Sequence, residues 1–547
     1  MLIKRGKTYE EVYESFKFNV PEYYNIAEDV CDRHAKDPQK LALIFENEDG
    51  SVTNYTFKEI QTYANKFANV LTDLGVERGD RVSILLGMRP PVGIIHVACW
   101  KAGIISSPMS ILFGPGAIEY RLNNCGAVAL VTDSTNYPKV KQVRANCPEL
   151  KHVFVIDGQP EGTLNWWNEL EKASDEFSTV KTKSTDPAYL NYTSGTTGPP
   201  KGSLAPHSAM IGHMPGFEFI YDFFPQEGDI IWSPADWAWV AGQMDILMCG
   251  WYAGIPVAAS PKAAFDPEDA YRFMAQHKVR VTLLTPTMLK LMRQVPDPLS
   301  RYNLKLRVIL SGAEALGKEL FSWAKDSLKV TVNEGYGQTE LNGILGNNAS
   351  VMPIKPGSLG RPLPGQIRVA IINDKGEELG PHEEGHIAAK KPHPMMLLEY
   401  WRNPKATEEK YLGDWMITGD LGHKDEDGYF WFHGRADDVI TSSGYRIGPG
   451  EIEDALLKHP AVAMSAAIGK PDPVRTEIVK AFITLAPGYE PTESLKEEIR
   501  GFIKTHLSKH EYPKEIEFID QLPLTTTGKI MRKELRQKEI DKMKSDS

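Results

Sequence analysis

Cysteine is scarce in this chain. Five residues in 547, Cys31, Cys99, Cys125, Cys147 and Cys249, are scattered with no CxxC pair. That pattern excludes a disulfide-stapled scaffold and a zinc ribbon, and it fits a reducing cytoplasm. Long hydrophobic runs are missing as well. The longest charge-free apolar stretches, Ala102 to Ile118 and Ile246 to Pro261, are broken by Gly and Pro. Both fall short of the roughly 18 to 20 apolar residues of a membrane span, so they read as core. The opening MLIKRGKTYEEVYESF mixes both charges and lacks the apolar stretch of a secretory signal. Positive charge is not in excess: 62 Lys and Arg against 72 Asp and Glu leave a net charge of −10. This argues against nucleic acid or an anionic membrane as the main partner, while leaving room for a local cationic site. Internal repeats, a GxSxG nucleophile elbow and a GxxxxGK[ST] phosphate loop are all absent.

What is present is ordinary globular material, 41% apolar and 24% charged, in a length that calls for more than one domain. From Phe57 to about Val131, the helical EIQTYANKFANVLTDLG alternates with the apolar runs RVSILLG and VALVTD, the pattern of layered βαβ units. The alternation resumes in VRVTLLTP, LRVILSGAE and VTVNEGYG, whose strand ends open into loops, where ligands of open α/β sheets sit. After GSLGRPLPG the texture becomes short strands and Gly turns, IRVAII, GHIAAKK and GYFWFHG, predicting a β-rich subdomain over about 357–436. From about Asp437 to 547 a compact unit follows, with helical EIEDALLKH, strand-like IVKAFITLA and helical SLKEEIRGFIKTHLS. The fold class is therefore α/β: a large N-terminal domain, 1–436, of layered sheets plus the β-rich subdomain, and a small α+β C-terminal domain, 437–547.

The segment YTSGTTGPPKG, Tyr192 to Gly202, concentrates hydroxyls, glycines and one lysine, the donors that suit a polyphosphate. It is followed in order by SGAEALG, NEGYGQTE, MITGDLG, HGRADD, SSGYRIGPGEIE and PLTTTGKIMRKELR. Together these strings resemble the motif series of the AMP-forming acyl-CoA synthetases, in the adenylate-forming superfamily, and are most similar to the medium-chain acyl-CoA synthetases. The resemblance runs from Phe57 to Arg536. It implies an enzyme that joins a carboxylic acid to ATP, releasing pyrophosphate, and then passes the acyl group to coenzyme A, releasing AMP, with Mg²⁺ as cofactor.

On that resemblance, Thr193, Ser194, Gly195, Thr196, Thr197, Gly198 and Lys201 hold the β- and γ-phosphates. Gly312, Ala313 and Glu314 line the adenine edge, and Glu334, Gly335, Tyr336, Gly337 and Gln338 lead into the catalytic Thr339 and Glu340. Tyr336 offers a flat face to adenine, Thr339 a donor to the α-phosphate, and Glu340 a hard oxygen for Mg²⁺. Asp420 and Arg435 bond the ribose hydroxyls. Lys529 bridges the attacking carboxylate and the α-phosphate as a cation, not a base. The small domain is mobile, turning at the hinge Asp437, so that Ser443, Gly444, Tyr445 and Arg446 line a pantetheine channel, with Arg475 and Lys514 near the CoA phosphates. Thr476 departs from the family, which usually carries glycine there. The P-x4-G-K setting of Lys529 also implies a protein acetyltransferase that switches the enzyme off by removing the charge.

Trp237 and Trp239 are expected to cap an acyl pocket. Gly337 stands where acetate-specific relatives carry a blocking tryptophan, so the expected acid is larger than acetate: short- to medium-chain or branched. Acetate itself, or an amino or aryl acid, is the alternative, with Asp236 available to an amino-acid ammonium. With 18 residues after Lys529, no carrier domain is expected. A luciferase-like oxygenase shares most of the motifs, but SSGYRIGP favours CoA. An inactive scaffold would have lost Lys529, Glu340 or Asp420, and all three are present. His382-Glu383-Glu384-Gly385-His386 formally matches HExxH. It lies between Gly380-Pro381 and the strand-like GHIAAKK, and so reads as a turn rather than the helix a zinc protease needs.

Overall fold

A computed structural model describes residues 2–193, 199–262, 264–314, 316–365, 368–435, 438, 440–442, 445–472, 476–504, 512–524 and 530–545, with only the backbone of Thr441, Tyr445, Arg446, Glu451, Lys544 and Ser545. The amphipathic EIQTYANKFANVLTDLG segment forms the helix Phe57–Asp73. Thr56 begins it with a capping box: its hydroxyl accepts the Glu59 N–H, and the Glu59 carboxylate takes the Thr56 N–H at 2.7 Å. Phe57, Ile60, Ala64, Phe67, Ala68 and Leu71 recur on one face and are buried.

Among the described residues, the platform is built on two large sheets. In the first, of fourteen strands, Leu41–Glu46, Val257–Ala259, Ile231–Trp232, Val281–Leu283, Val308–Gly312 and Thr331–Gln338 lie side by side and parallel. The second, of eight strands, has a parallel centre that includes Arg81–Leu85, Ile105–Met109 and Ala127–Thr132. On one side of that centre run Pro187–Thr193, Lys201–Pro206 and Glu399–Tyr400. Pro90–Lys101 is buried on every face and Ala209–Ile220 on nearly every face, which explains their lack of a polar side. They belong to one continuous core that takes Val82 and Ile84 from one sheet and Leu43, Val257, Val281 and Val308 from the other.

The β-rich segment is not a separate layer. Asn342–Gly346, Ser358–Pro362, Phe430–Arg435, Trp415–Lys424 and Gly385–Lys390 extend the first sheet edge to edge, now antiparallel. Short hairpins with Gly turns add these strands to an existing edge, and the strands bury apolar clusters of their own, Ile371, Ile387, Met416 and Phe430 in one and Ile372, Ala388 and Trp415 in another.

The C-terminal unit has its own five-stranded sheet, centred on Val462–Asp472 and Thr476–Leu485, and its own apolar clusters. Lys480 anchors its last helix, with its ammonium 2.6 Å from Glu517 and 2.8 Å from Glu539. The helix Pro449–Leu456 packs on the helix Gly317–Trp323 of the platform. Among the described residues no helix is long and apolar enough to cross a membrane, and all five cysteines are free and buried.

Candidate active site

Two of the motifs meet because their strands are neighbours. Val308–Gly312 and Thr331–Gln338 run parallel with Gly312 opposite Gly335, and a Cβ on Gly312 would stand 2.6 Å from the Gly335 carbonyl oxygen. Ala313 then leaves the strand at φ 72°, and the Glu314 carboxylate accepts the Thr287 hydroxyl at 2.9 Å. Glu334, only 4% exposed, ties the loop from behind by accepting the Leu316 N–H at 3.2 Å. Burial pushes its carboxyl up to about 8, so it is largely neutral at pH 7.

The separation between Asp420 and Arg435 is explained by a hairpin. Trp415–Lys424 and Phe430–Arg435 pair antiparallel with Asp420 directly opposite Arg435, and Arg435 Nη1 lies 3.2 Å from Asp420 Oδ1. The Tyr336 hydroxyl donates to Asp420 Oδ2 at 2.5 Å. Burial, and then the Asp420 charge, hold the Tyr336 phenol well above its ordinary value, so it remains a donor. The ring expected under adenine and the carboxylate expected on ribose therefore form one unit.

The segment expected to hold phosphates is flanked by a second antiparallel pair, Pro187–Thr193 with Lys201–Pro206, in which Thr193 pairs with Lys201. Ser194, Gly195, Thr196, Thr197 and Gly198 lie outside the described residues. The Lys201 ammonium sits over the Tyr400 ring, 5.2 Å from its centroid, and the Tyr400 hydroxyl donates to Glu340 Oε1 at 2.5 Å. Tyr400 was not legible in the sequence: EYWRNP carries no motif, and the tyrosine arrives through the pairing of Glu399–Tyr400 with Ser203 and Leu204. Lys410 was missed in the same way. Its ammonium donates to Gln338 Oε1 at 2.7 Å. Thr339 is half-buried in the turn after its strand. Among the described residues no group of three or more His, Cys, Asp or Glu gathers for a metal. The Glu340 carboxylate nevertheless suits Mg²⁺, whose remaining ligands would be phosphate oxygens and water.

On the acyl side, Gly337 needs a different explanation. Its strand pairs irregularly with Asn342–Gly346 just after Tyr336, and a Cβ on Gly337 would stand 1.8 Å from the Asn342 carbonyl oxygen. The backbone therefore demands glycine there before any acyl group is considered, so the residue does not by itself report pocket size. Trp237 is 2% exposed in the main core. Trp239 is half-buried and packs edge-on against Phe113 at 5.9 Å, and its buried indole N–H has no partner among the described residues. Asp236 accepts from the Ser110 hydroxyl at 2.9 Å and the Ala238 N–H at 3.0 Å.

Of the C-terminal candidates, Asp437, Ser443, Gly444, Arg475 and Lys529 lie outside the described residues, as do the side chains of Tyr445 and Arg446. An antiparallel bridge joins Leu524 to Ile530, the described residues on either side of 525–529. Lys514 donates to the Tyr512 hydroxyl at 2.6 Å. Thr476 holds φ 71°, the left-handed conformation that glycine adopts without strain. In the HExxH string, His382 sits at φ 64° beside Glu426 (2.7 Å), while His386 lies in a strand beside Asp374 (3.0 Å). The backbone is a turn entering a strand, and the two imidazoles have separate carboxylate partners.

A layered platform that gathers the tyrosine, aspartate, arginine and lysine of separate motifs, joined to a small C-terminal unit, is the architecture of an adenylate-forming enzyme. The chain belongs to the AMP-binding enzyme family: residues 31–401 match that family's model and residues 451–529 match the AMP-binding enzyme C-terminal domain. It is 38% identical to an acetyl-coenzyme A synthetase of Bacillus subtilis, over 98% of this chain and 96% of that protein. It is 36% identical to the mitochondrial acyl-coenzyme A synthetase ACSM3 of Rattus norvegicus, over 97% and 93%. A crystal structure of the anthranilate CoA ligase AuaEII in complex with anthranoyl-AMP superposes with a TM-score of 0.87 at 29% identity, covering 95% of this chain and 98% of that one. The chain is an AMP-forming, ATP-dependent acyl-CoA ligase.

Proposed function

We propose that the acid is larger than acetate, a short- to medium-chain or branched carboxylic acid. The observation that carries the adenylating part of the reading is that the bonded unit of Tyr336, Asp420 and Arg435 and the cluster of Lys201, Tyr400 and Glu340 both lie close enough to Lys410 to act on its charge. A carboxylate and ATP repel each other, so their reaction requires screening and alignment. In this reading Tyr336 carries adenine, Asp420 and Arg435 take the ribose hydroxyls, and the loop from Thr193 to Lys201 holds the departing pyrophosphate. Thr339 donates to the α-phosphate, and Glu340 would hold Mg²⁺, whose positive charge would offset the negative charge of the phosphates. Lys529 supplies the cation at the point of attack. Rotation about Asp437 then brings Ser443, Gly444, Tyr445 and Arg446 to the site, where the CoA thiol attacks the acyl carbonyl and AMP leaves. Arg475 and Lys514 meet the CoA phosphates. Acetylation of Lys529 by a protein acetyltransferase would stop the first half-reaction only. Five buried, unpaired cysteines favour a reducing compartment, the cytoplasm.

Support for a longer acid comes from Trp239, which stands half-buried beside Phe113, and from the likeness to an acyl-coenzyme A synthetase. Each added buried methylene contributes about 0.8 kcal/mol, roughly a fourfold preference. Acetate is the runner-up, favoured by the Bacillus subtilis relative. An amino acid is disfavoured because burial works against a charged Asp236 carboxylate, the form an ammonium would need, even though Ser110 and Ala238 donate to it. The test is CoA-dependent AMP release across acids of two to ten carbons, with Trp239→Ala as the pocket probe. An optimum beyond two carbons that moves in the variant is expected. An optimum at acetate that stays there would reject the reading.

A further inference from the structure

Gln338 is surrounded by polar groups but is only half satisfied. Its Oε1 accepts from Lys410 Nζ at 2.7 Å, whereas its Nε2 is buried with no hydrogen-bond partner among the described residues. An ammonium has donors and no acceptor, so the amide edge that meets Lys410 has to be the carbonyl oxygen, and the NH₂ edge has to face away. An unpartnered buried donor is costly, typically 1–3 kcal/mol, and is retained where a ligand completes it. The groups around Lys410 say which ligand. Glu340 and Arg435, then Asp420 and Lys201, act on its charge, so it lies among the residues assigned to phosphate, Mg²⁺ and ribose. Burial lowers the basicity of Lys410; Glu340 and Asp420 oppose that, and Arg435 and Lys201 add to it.

We propose that Lys410 is a positioning residue that fixes the Gln338 amide so that its NH₂ donates to an acceptor oxygen of the bound adenylate. Lys410 itself does not touch the ligand. The proposal rests on the adenylating reading of this site. It also explains why a lysine far along the chain from the GYGQTE motif sits against it: without a cation at its back, the amide is free to flip and present an acceptor to that oxygen.

The test is pyrophosphate exchange and AMP binding by calorimetry on the full chain, for Lys410→Met, Lys410→Arg, Gln338→Met and the double variant Lys410→Met/Gln338→Met. Lys410→Met and Gln338→Met are each expected to lower kcat/KM for ATP about ten- to hundredfold, the range for a hydrogen bond to a charged group. Lys410→Arg, which keeps a donor-only cation, restores most of the loss. Because Lys410 acts through Gln338, the double variant should be no worse than Gln338→Met alone. Weaker AMP binding in Lys410→Met assigns the acceptor to the α-phosphate. Unchanged AMP binding with weaker binding of a non-hydrolysable acyl-sulfamoyl adenosine assigns it to the acyl oxygen. Multiplicative losses in the double variant, a silent Lys410→Met, or unchanged binding of both probes overturns the proposal. Wild-type protein that exchanges with no acid would instead reject the functional reading, and AMP calorimetry on Lys410→Met would still judge this one.

Discussion

Replacing Tyr336 with phenylalanine separates the two tasks the residue carries. The variant keeps the aromatic face expected under adenine and removes only the hydroxyl that reaches Asp420 Oδ2 at 2.5 Å. A hydrogen bond to a charged group contributes about 1.5–3 kcal/mol, an upper bound of roughly 10- to 150-fold. Arg435 still holds the other carboxylate oxygen at 3.2 Å, so the low end applies, about tenfold in kcat/KM for ATP. The assay is pyrophosphate exchange with ATP and with 2′,3′-dideoxy-ATP, which lacks the hydroxyls Asp420 is expected to hold. With the dideoxy nucleotide the penalty should shrink to about twofold or less, because a misplaced Asp420 then has nothing to lose. Tyr336→Ala should be worse than Tyr336→Phe with both nucleotides, having lost the face as well. An equal Phe penalty with both nucleotides would refute the argument that the hydroxyl works through the ribose acceptor.

Three further outcomes are expected. Glu334, with its carboxyl raised from 4.5 to about 8 by burial, keeps a proton in the folded state that the unfolded chain has already lost. Stability from this group is fully present below pH 4.5 and is lost as pH rises through about 8, at up to about 1.4 kcal/mol per pH unit. Glu334→Gln should gain a few kcal/mol on wild type between pH 5 and pH 8 in urea unfolding, and an unchanged difference would count against a neutral Glu334. Thr476→Gly relieves a left-handed β-branched residue, about 1–2 kcal/mol, against about 0.5–1 kcal/mol of added chain entropy. The expected result is slower amide exchange along Thr476–Leu485, and faster exchange would contradict it. Lys529→Ala should abolish acyl-AMP formation while leaving CoA attack on supplied acyl-AMP nearly intact in single-turnover assays. Equal loss of both halves would remove Lys529 from its assigned step.

The sequence alone determined the reaction class and much of the fold. Motif strings such as YTSGTTGPPKG and NEGYGQTE are short, and the chemistry they carry depends on residue types within a few positions. The Phe57–Asp73 helix and most strands were equally legible, because their caps and apolar periods are local. The separation of Asp420 and Arg435 is the register of one hairpin. Only the tertiary structure decided how the parts serve one another. Tyr336 bonds Asp420 across 84 positions, Tyr400 bonds Glu340 across 60 and Lys410 bonds Gln338 across 72. No local pattern announces such pairs, since they exist only once two distant strands are side by side. The same reason changes the meaning of Gly337: read along the chain it was an opening for an acyl group, and in space it is the one residue that fits beneath the Asn342 carbonyl.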